Sequence, residues 1–594
     1  MSDFENRDSK RGFSVKLWRG ERMCLLGFDV LAPEDDLVGF AIEVKAPGAA
    51  DFAQLPNRLA FSYDKPATAA VDGARKFPSK EAPFQKFRWI DFPFEPKKGT
   101  YTYRATKMHM PRDGVLKAGT QLELGVSLDP VTYDGFVDVG FTRNFASSQA
   151  FRERYKQFMP KPKIIPATAD AGLEFAKVAD SDVYDWLGFE AYDLVFDFLD
   201  RALADPSIEL DVFAYDLNER DIVDRLTRLG PRLRAIVDDS TSKDKKGKVT
   251  GHGTAESAES RASEMLAASA GQDRVKRLHF QGLQHHKVFI ARRNGQPFEV
   301  LCGSTNFTFR GLYIQANNAL VFRSPEVAGL FGRVFEAAFR DAKGFKNDPT
   351  AAKWHVVSLP GRPEVHLCFS PHGGAGLSLT PVAAAVEQAT SSVLYSVAFL
   401  NQIKSGATKQ AFDRLMTKPV FSYGISDEAG QLEVKKPDGS RGLVDFAFLG
   451  RNAPEPFKSE WEGGKGINIH HKFVVADFSL PSAKVFTGSS NLSPSGETGN
   501  GDHLMMIADR KIAIAYAIEA VRIFDHLHFR VHMSEAAEAG KKAGAKPKAG
   551  TPAAPASDKL TLRKPRAISG KPAWFERYYV AGSQIEKDRK VFSE

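Results

Sequence analysis

The chain has 594 residues, 43% of them hydrophobic and 26% charged, and a formal net charge of +8. This length exceeds what a single hydrophobic core supports, so we expect two to four domains of ordinary globular composition. No run of 18 apolar residues occurs, and residues 1–13 lack the apolar region of a signal peptide. These features predict a cytoplasmic protein without a transmembrane segment, and they leave contact with a membrane surface open.

The cysteines and the positive charge narrow the class of protein further. Cys24, Cys302 and Cys368 are an odd number without metal-ligand spacing, which argues against a disulfide framework and against a thiolate metal site. The excess of basic residues and the pI near 9.0 suit an anionic partner such as phospholipid or nucleic acid. The oligomeric state does not follow from the sequence.

Residues 1–150 read as a β-sandwich. Short apolar segments alternate with Pro, Gly and Asp turns, which is typical of antiparallel strands; the segments are VKLWRG, RMCLLGFDV, LVGFAIEVK, NRLAFSY, FRWIDFPF, TYTYRATKMHM, TQLELGVSL and FVDVGFT. The stretch from Glu95 to Tyr103 resembles the tyrosine-corner turn of immunoglobulin or fibronectin-like domains. We expect an accessory or binding role for this domain because it shows no cluster of catalytic residue types.

From about residue 185 the chain alternates between strand-like and helix-like segments, which predicts the α/β class with mixed sheets and helical cover. The order of segments in residues 185–350 is repeated in residues 351–533, so we expect two pseudo-symmetric lobes. The remaining predicted segments are a linker at 151–184, a flexible Ala/Lys/Gly/Pro linker at 534–557, and a C-terminal tail at 558–594. The aromatic sequence KPAWFERYYV in that tail predicts that it docks on the body.

One pattern of polar residues occurs once in each lobe. The sequence HHK is followed by GSTN in the first copy and by GSSN in the second, with the first His 18 positions before the Gly in both. Residues two apart on a strand share a face, so each first His and its Lys project together, and a hairpin returns the Ser and Asn beside them. Imidazole, ammonium, hydroxyl and amide groups together suit a phosphate oxyanion; the residues are His285, Lys287, Ser304, Asn306, His470, Lys472, Ser489 and Asn491.

These residues resemble the phospholipase D superfamily, whose mark is His-x-Lys-x4-Asp followed by Gly-Ser-x-Asn, present twice in bilobal members. The second copy fits in full and includes Asp477, whereas the first has Arg292 at the position of that Asp. Position 292 lies five residues past Lys287, which at ~3.3 Å per residue puts it ~16 Å away on the opposite face. We therefore expect Arg292 and Asp477 to be turn residues, with Asp477 anchoring its hairpin.

A histidine that acts on phosphorus needs an acceptor on its other ring nitrogen, and the family places an acidic residue shortly after the Asn. Aligning NGDHLMM with ANNALVF by their apolar runs sets Asp502 opposite Asn318, which assigns these two residues as the orienting groups. A carboxylate favours imidazolium, as a general acid needs, and an amide leaves the ring neutral. This predicts His285 as nucleophile and His470 as general acid, although a carboxylate could instead activate His470 as nucleophile.

The resemblance implies a two-step reaction through a phosphohistidine. His285 attacks phosphorus while His470 protonates the leaving alcohol, and water or a second alcohol then releases the intermediate. Lys287 and Lys472, with Asn306 and Asn491, would hold the nonbridging oxygens, and the motif serines would support them. No metal or other cofactor is expected, because the sequence offers no evident cluster of ligands and the reaction needs none.

Three functions remain open at this level. A phospholipase D hydrolysing or transphosphatidylating a glycerophospholipid is the leading hypothesis, and a nuclease or other phosphodiesterase acting on nucleic acid is the second. The third is a non-catalytic, phosphate-binding scaffold with a degenerate site. The other histidines, His252 among them, are interpreted as core or surface residues, and the loop with Lys243, Lys245, Lys246 and Lys248 as a solvated face that could steer an anion.

Overall fold

The architecture is described from a computed structural model. It covers residues 4–62, 76–130, 132–144, 151, 154–155, 164–166, 168–179, 181–398, 400, 403–428, 431–435, 441–444, 469–542 and 561–594. In these ranges the chain forms two antiparallel sheets near its N-terminus, two larger mixed sheets with helices, and a C-terminal segment that packs against both parts.

The N-terminal domain is a sandwich of two sheets with strand orders β1-β2-β3-β8 and β10-β9-β4-β5. Apolar residues of strands such as FSVKLWR and CLLGFDV are buried between the sheets. The backbone N–H of Lys97 donates to the Tyr101 hydroxyl at 2.8 Å, as the predicted tyrosine-corner turn requires. The strands are β1 (Glu5–Lys10), β2 (Phe13–Arg19), β3 (Cys24–Val30), β4 (Leu37–Lys45), β5 (Ala53–Gln54), β6 (Pro56–Asn57), β7 (Phe77–Pro78), β8 (Arg88–Asp91), β9 (Thr100–His109) and β10 (Lys117–Ser127).

The first lobe is built on an eight-stranded sheet with the order β11-β12-β20-β19-β18-β13-β14-β17. Strands β13 and β14 are parallel and joined through a helix, as the alternating pattern predicts. The strands are β11 (Thr132–Tyr133), β12 (Val137–Phe141), β13 (Ile208–Ala214), β14 (Leu233–Val237), β15 (Ser242–Lys243), β16 (Val249–Thr250), β17 (Val275–Arg277), β18 (Lys287–Arg293), β19 (Gln296–Gly303) and β20 (Asn318–Phe322). The helices are α1 (Val183–Ala204), α2 (Arg220–Arg228), α3 (Ala258–Ala270), α4 (Phe309–Tyr313) and α5 (Pro325–Asp341).

The second lobe repeats this topology in a nine-stranded sheet with the order β21-β22-β29-β28-β27-β23-β24-β25-β26. Its strands are β21 (His355–Val357), β22 (Glu364–Ser370), β23 (Ser392–Val397), β24 (Phe421–Glu428), β25 (Gln431–Lys435), β26 (Arg441–Val444), β27 (Lys472–Ala476), β28 (Lys484–Gly488) and β29 (Asp502–Ala508). The helices are α6 (Leu379–Gln388), α7 (Ala407–Leu415), α8 (Pro494–Gly499) and α9 (Arg510–Lys542). The class predicted from the sequence is therefore confirmed.

One predicted sandwich strand belongs to the first lobe instead. Strand β12, from the segment FVDVGFT, pairs antiparallel with β20, with Val139 opposite Leu320. Strand β22 holds the matching place in the second lobe, where it pairs with β29. The alternating pattern of β12 fits any half-buried strand, and only the topology of the lobe decides which sheet it joins.

Two helices, α5 and α9, fill the space between the two large sheets. Phe335 of α5 packs on Phe213 of the first lobe, and Phe331 packs on Phe369 of the second. Tyr516 of α9 contacts Phe141 in β12 and likewise a phenylalanine of β27. Because both helices touch both sheets, the lobes share one continuous core, and the relative position of the two repeated motifs is fixed.

The C-terminal segment lies between the sandwich and the second lobe. It contains α10 (Arg566–Ser569) and α11 (Gln584–Ser593). The carbonyl of Phe592 accepts from the Trp18 indole at 2.7 Å, and the indole of Trp574 donates to the Leu37 carbonyl at 3.0 Å. Among the residues that the structure describes, none of the helices combines the length and apolar character needed to cross a bilayer.

Candidate active site

The two repeated motifs meet at the junction of the lobes. The backbone N–H of His285 donates to the Gly501 carbonyl at 2.9 Å, and that of His470 donates to the Ala316 carbonyl at 3.0 Å. Each motif histidine is thus bonded to the opposite lobe, just before its own strand β18 or β27 begins. The two contacts are equivalent under the pseudo-symmetry, and together they form one buried site from two halves.

The side chain of each motif histidine is also hydrogen-bonded to a residue of the opposite lobe. His285 Nδ1 lies 2.7 Å from Asp502 Oδ1, and His470 Nδ1 lies 2.9 Å from Asn317 Oδ1. The expectation that Asp502 orients His470 and that Asn318 orients His285 is therefore wrong. Asp502 directly follows Gly501, and Asn317 directly follows Ala316, the two residues whose carbonyls accept from the motif backbones. Docking of the lobes therefore determines the backbone partner and the side-chain partner of each histidine together.

The assignment of Asn318 also misses by one position. Its amide lies 3.4 Å from His471 Nδ1, in the core behind the site, and the matching residue in the other lobe is His503, which contacts His286 at 3.3 Å. Asn317 is the counterpart of Asp502. The offset of 185 positions that relates His285 to His470 also relates Asn317 to Asp502, whereas the alignment of the apolar runs used an offset of 184 and so displaced the match by one position.

The motif serines hold the orienting residues in place. The Ser489 hydroxyl donates to Asp502 Oδ1 at 2.7 Å, and the Ser304 hydroxyl donates to Asn317 Oδ1 at 2.9 Å. The amide of Asn317 donates to the Gly311 carbonyl at 2.9 Å, which turns its oxygen toward His470. Direct support of phosphate, the role expected for the serines, is replaced in this arrangement by support of the groups that orient the rings.

The motif glycines are required by the backbone. Gly303 and Gly488 have φ values of +139° and +147°, a region that residues with a Cβ rarely adopt. A Cβ would lie 2.5 Å from the Asn318 carbonyl oxygen in one lobe and 2.4 Å from that of His503 in the other. This close approach lets the following serine N–H groups donate to the same two carbonyls at 3.1 Å.

The two lysines lie within the same buried cluster. Lys287 Nζ donates to the His285 carbonyl at 2.6 Å, and Lys472 Nζ lies 3.0 Å from His470 Nε2. Burial lowers the pKa of Lys287 to about 8, against the opposing charges of Asp502 and Asp216. Burial, together with the charge of Lys287, also lowers the pKa of Lys472 well below its ordinary value. An anion entering the site would favour the protonated, charged form of both lysines.

The electrostatics of the two histidines differ. Burial and the charge of Lys287 lower the pKa of His285, while Asp502 opposes that shift. Burial and the charges of Lys472, Lys287 and His285 lower the pKa of His470 well below its ordinary value. Burial would raise the pKa of Asp502, but His285 and Lys287 hold it well below its usual range. Both rings are therefore neutral near pH 7, and only His285 has an ionised partner.

The motif asparagines complete the cluster. Asn306 is 5% exposed, and its amide Nδ2 donates to Asp216 Oδ2. The Oδ1 atoms of Asn306 and Asn491 are buried without a hydrogen-bond partner among the residues that the structure describes. Buried polar atoms of this kind are usually paired in a complete site.

Asp477 and Arg292 lie outside the cluster, as predicted. The expectation that Arg292 is a turn residue is wrong, because β18 continues to Arg293 and the turn falls at Asn294 and Gly295, which have positive φ. Asp477 sits in a turn with φ of +54°, and its carboxylate accepts the backbone N–H groups of Thr390, Ser391 and Ser392 at 2.7 to 3.1 Å. It anchors the start of β23. The Arg292 guanidinium points to the other side of its sheet, where it lies 2.8 Å from the buried carboxylate of Asp211.

A second polar cluster adjoins the site and was missed in the sequence. His252 lies between Asp216 and Asp238, with each of its ring nitrogens 2.8 Å from a carboxylate oxygen. A ligand atom of Glu259 lies within 4.8 Å of those of Asp216 and His252, a group that could hold a metal ion. Both nitrogens of His252 are already bonded, so an ion would have to displace a carboxylate. The available signal was the Asp that follows β13, since ligands bind at the carboxyl ends of such strands.

The sequence of the first lobe matches a known family model. Residues 199–339 match the model described as "Cardiolipin synthase, PLD-like domain". This part of the chain is therefore a PLD-like domain, in agreement with the resemblance carried by the repeated motifs. The match lies across β13 to α5 of the first lobe and includes His285, Lys287 and Asn306. No curated protein matches the chain.

Several solved structures are similar to parts of this chain. Phosphatidylserine synthase of Haemophilus influenzae is 12% identical, with a TM-score of 0.38, and the match covers 57% of this chain and 85% of that one. The phospholipase D family member Nuc of Salmonella typhimurium is 22% identical, with a TM-score of 0.19, over 26% and 90% of the two chains. Yeast tyrosyl-DNA phosphodiesterase is 10% identical, with a TM-score of 0.28, over 51% and 83%.

Proposed function

We propose that the chain is a phosphodiesterase that cleaves or transfers a phosphodiester through a phosphohistidine on His285. The observation that carries this proposal is the exchange of orienting residues between the lobes. Each motif histidine has its Nδ1 on an acceptor from the other lobe. This directs both Nε2 atoms into one buried cluster, where that of His470 lies 3.0 Å from Lys472 Nζ. A scaffold that only binds phosphate has no need of two rings held in one tautomer.

The carboxylate partner supports His285 as the nucleophile. Asp502 accepts from Nδ1, so Nε2 keeps its lone pair, and the carboxylate stabilises the positive ring that forms when Nε2 bonds to phosphorus. The expectation from the sequence is that a carboxylate partner favours the general acid. Applied to the observed pair of His285 and Asp502, it would make His285 the general acid. We give it less weight because it considers the resting ring only, whereas charge on the ring increases as the intermediate forms.

His470 is proposed as the general acid and base. Its partner Asn317 is neutral, so a protonated His470 ring gives up its proton more readily than one beside a carboxylate. A bound phosphodiester would add the negative charge that favours protonation. In the first step Nε2 of His285 attacks phosphorus, the bond to the leaving oxygen breaks, and that oxygen takes the proton from His470.

The second step reverses these roles. Water or a second alcohol gives its proton to His470 as its oxygen attacks phosphorus, and the bond between phosphorus and His285 Nε2 breaks. Lys287 and Lys472, with the amides of Asn306 and Asn491, would hold the nonbridging oxygens. Charge-assisted contacts of this kind stabilise the transition state most where water is excluded, and His285, Lys287, His470 and Lys472 are all buried.

The substrate that we propose is a glycerophospholipid. The experiment that tests the activity uses purified protein with EDTA and compares phosphatidylcholine vesicles with single- and double-stranded DNA. We expect release of the head group from lipid and a loss of about 10³-fold or more in His285→Ala and His470→Ala. His366→Ala, a partly exposed histidine of β22 paired with Glu364, is the matched control and should keep its activity. Cleavage of DNA alone would favour the nuclease hypothesis, and activity on neither class would favour the scaffold.

A further inference from the structure

The cluster around His252 joins directly onto the proposed catalytic cluster. His252 lies 2.8 Å from each of Asp216 and Asp238. Asp238 is itself fixed, since it accepts the backbone N–H of Gln284 at 2.7 Å and that of Ser240 at 3.1 Å. Burial would lower the pKa of His252, but these two carboxylates raise it to about 10. The ring is therefore a cation that donates from both nitrogens, and it holds Asp216 in one position.

Asp216 forms part of the wall of the active site. It follows the end of β13, and its second oxygen accepts from the amide of Asn306. The ring of the preceding residue, Tyr215, contacts His252 at 4.7 Å and His285 at 4.6 Å between ring centroids. The Asp216 side chain keeps 25% of its surface exposed, so a bound molecule can reach it.

This wall contains a hydrogen-bond acceptor, the Asn306 oxygen, that has no donor among the described residues. A carboxylate can only accept, so the amide of Asn306 must turn its Nδ2 toward Asp216. Its Oδ1 is then left buried, without a hydrogen-bond partner among the described residues. Because buried polar atoms are nearly always paired, the Asn306 oxygen and the free capacity of Asp216 call for a group with hydrogen-bond donors.

The second lobe has a different residue type in the sequence at the equivalent position. Tyr215 donates its backbone N–H to the His286 carbonyl, and Ala398 donates to that of His471, so the two residues correspond. The sequence then has Phe399 where the first lobe has Asp216. The repeated motifs are matched, but the residues that follow β13 and β23 are polar in one lobe and apolar in the other.

We propose that Asp216 and the Asn306 oxygen form a subsite for a hydrogen-bond-donating group, a hydroxyl or a primary ammonium, on the alcohol portion of the substrate. His252 and Asp238 are positioning residues that keep Asp216 ionised and in place. This inference rests on the proposed phosphodiesterase activity and adds a selectivity to it. A diester whose alcohol carries no O–H or N–H donor leaves the Asn306 oxygen unpaired and adds no hydrogen bond to Asp216, and it is the poorer substrate.

The test compares short-chain phosphatidylethanolamine, phosphatidylglycerol and phosphatidylcholine as substrates. The ethanolamine and choline groups carry the same charge and differ in their N–H donors, so their ratio isolates hydrogen bonding from attraction to Asp216. We expect kcat/KM for ethanolamine and for glycerol to exceed that for choline by about tenfold. Asp216→Asn should bring both ratios close to one, and His252→Gln should reduce them in the same direction.

Controls keep the result interpretable. Asp224→Asn, an exposed residue of α2 paired with Arg220, should retain the wild-type ratios, and thermal unfolding of each variant checks that it folds. Equal loss on all three lipids in Asp216→Asn, or a wild-type preference for choline, overturns the subsite. Hydrolysis of none of the diesters by the wild-type protein would overturn the proposed function and the subsite with it.

Discussion

At the scale of single residues, the two motif histidines differ in the group that holds Nδ1. Asp502 is ionised and belongs to the second lobe, whereas Asn317 is neutral and belongs to the first. The same hydrogen-bond geometry therefore supports two different acid–base properties. The difference in the partners, more than any difference in the rings, is what we expect to divide the roles of nucleophile and acid.

Replacing the neutral partner tests this division. Asn317→Asp places a carboxylate 2.9 Å from His470 Nδ1, which raises the pKa of His470 because a nearby negative charge favours the protonated ring. The alkaline limb of the kcat profile, where the protonated acid is lost, should move to higher pH by about one unit or more. Asn317→Ala removes the acceptor and is the matched control. An unmoved alkaline limb in Asn317→Asp would mean that His470 is not the acid.

Asp477 gives the contrasting case of a motif residue with a structural contact. Its carboxylate accepts three backbone N–H groups at the start of β23. Asp477→Ala should lower the free energy of unfolding by about 1–3 kcal/mol, measured by urea denaturation, while folded protein keeps its kcat. Ser479→Ala in the same turn is the control for stability. A loss of kcat equal to that of His470→Ala, with the fold intact, would place Asp477 in the chemistry.

At the scale of elements, helix α9 fixes the second motif strand from behind. Glu519 of α9 accepts from His471 Nε2 at 3.2 Å and from Arg522 at 2.6 Å. Burial would raise the pKa of Glu519, but Arg522 and His471 lower it from 4.5 to about 2. His471 adjoins His470 just before β27 begins, so this buried pair links the helix between the lobes to the second motif.

The depressed pKa of Glu519 predicts a dependence of stability on acid. A group whose folded pKa lies below its unfolded pKa stabilises the fold above the unfolded value, 4.5, and that contribution is lost as pH falls toward about 2. The full contribution is on the order of 3 kcal/mol. Glu519→Gln should be less stable near pH 7 and should show a flatter pH dependence between 4.5 and 2, measured by thermal unfolding. An unchanged slope between pH 4.5 and 2 would show that Glu519 does not cause the loss of stability in acid.

The C-terminal helix α11 contributes to the stability of the fold through the buried ring of Phe592. Phe592 is fully buried and packs on Phe421 and Phe478 of the second lobe, while its carbonyl binds Trp18 of the sandwich. Phe592→Ala should lower the free energy of unfolding by about 3–5 kcal/mol through the lost contacts and the cavity. Val580→Ala, at a side chain that is 58% exposed, is the control and should change little. Equal stability of the two variants would contradict this docking.

At the scale of the whole molecule, the sequence predicts the parts of the site better than their pairing. The register of the repeated motif identifies His285, Lys287 and Asn306 with their partners, because spacing along a hairpin is a local property. It also predicts the face of Arg292 correctly, since strand alternation decides the face, although Arg292 lies in β18 and not in the expected turn. The turn position of Asp477 agrees with its φ of +54°. The exchange of Asp502 and Asn317 between lobes depends on how the two sheets dock across α5 and α9, which no local pattern records.

Two other residues show the same limit. His252 lies 14 residues after Asp238 and 36 after Asp216, across the loop that contains β15 and β16, and no local pattern marks it as bridging the two carboxylates. Strand β12 has the alternation of a sandwich strand and follows the sandwich directly in the sequence, yet it completes the first lobe. In both cases the residue type is informative and the partner is set by contacts between distant segments.

The most direct test of the account is to locate the phosphoryl group on the enzyme during turnover. The substrate is mixed with the protein, the reaction is quenched in base to preserve phosphohistidine, and the modified peptide is identified by mass spectrometry. We predict that the group is found on His285, that His470→Ala retains it longer, and that Asp502→Asn forms it more slowly. Phosphorylation of His470 and not of His285 would contradict the assignment of the two halves of the site.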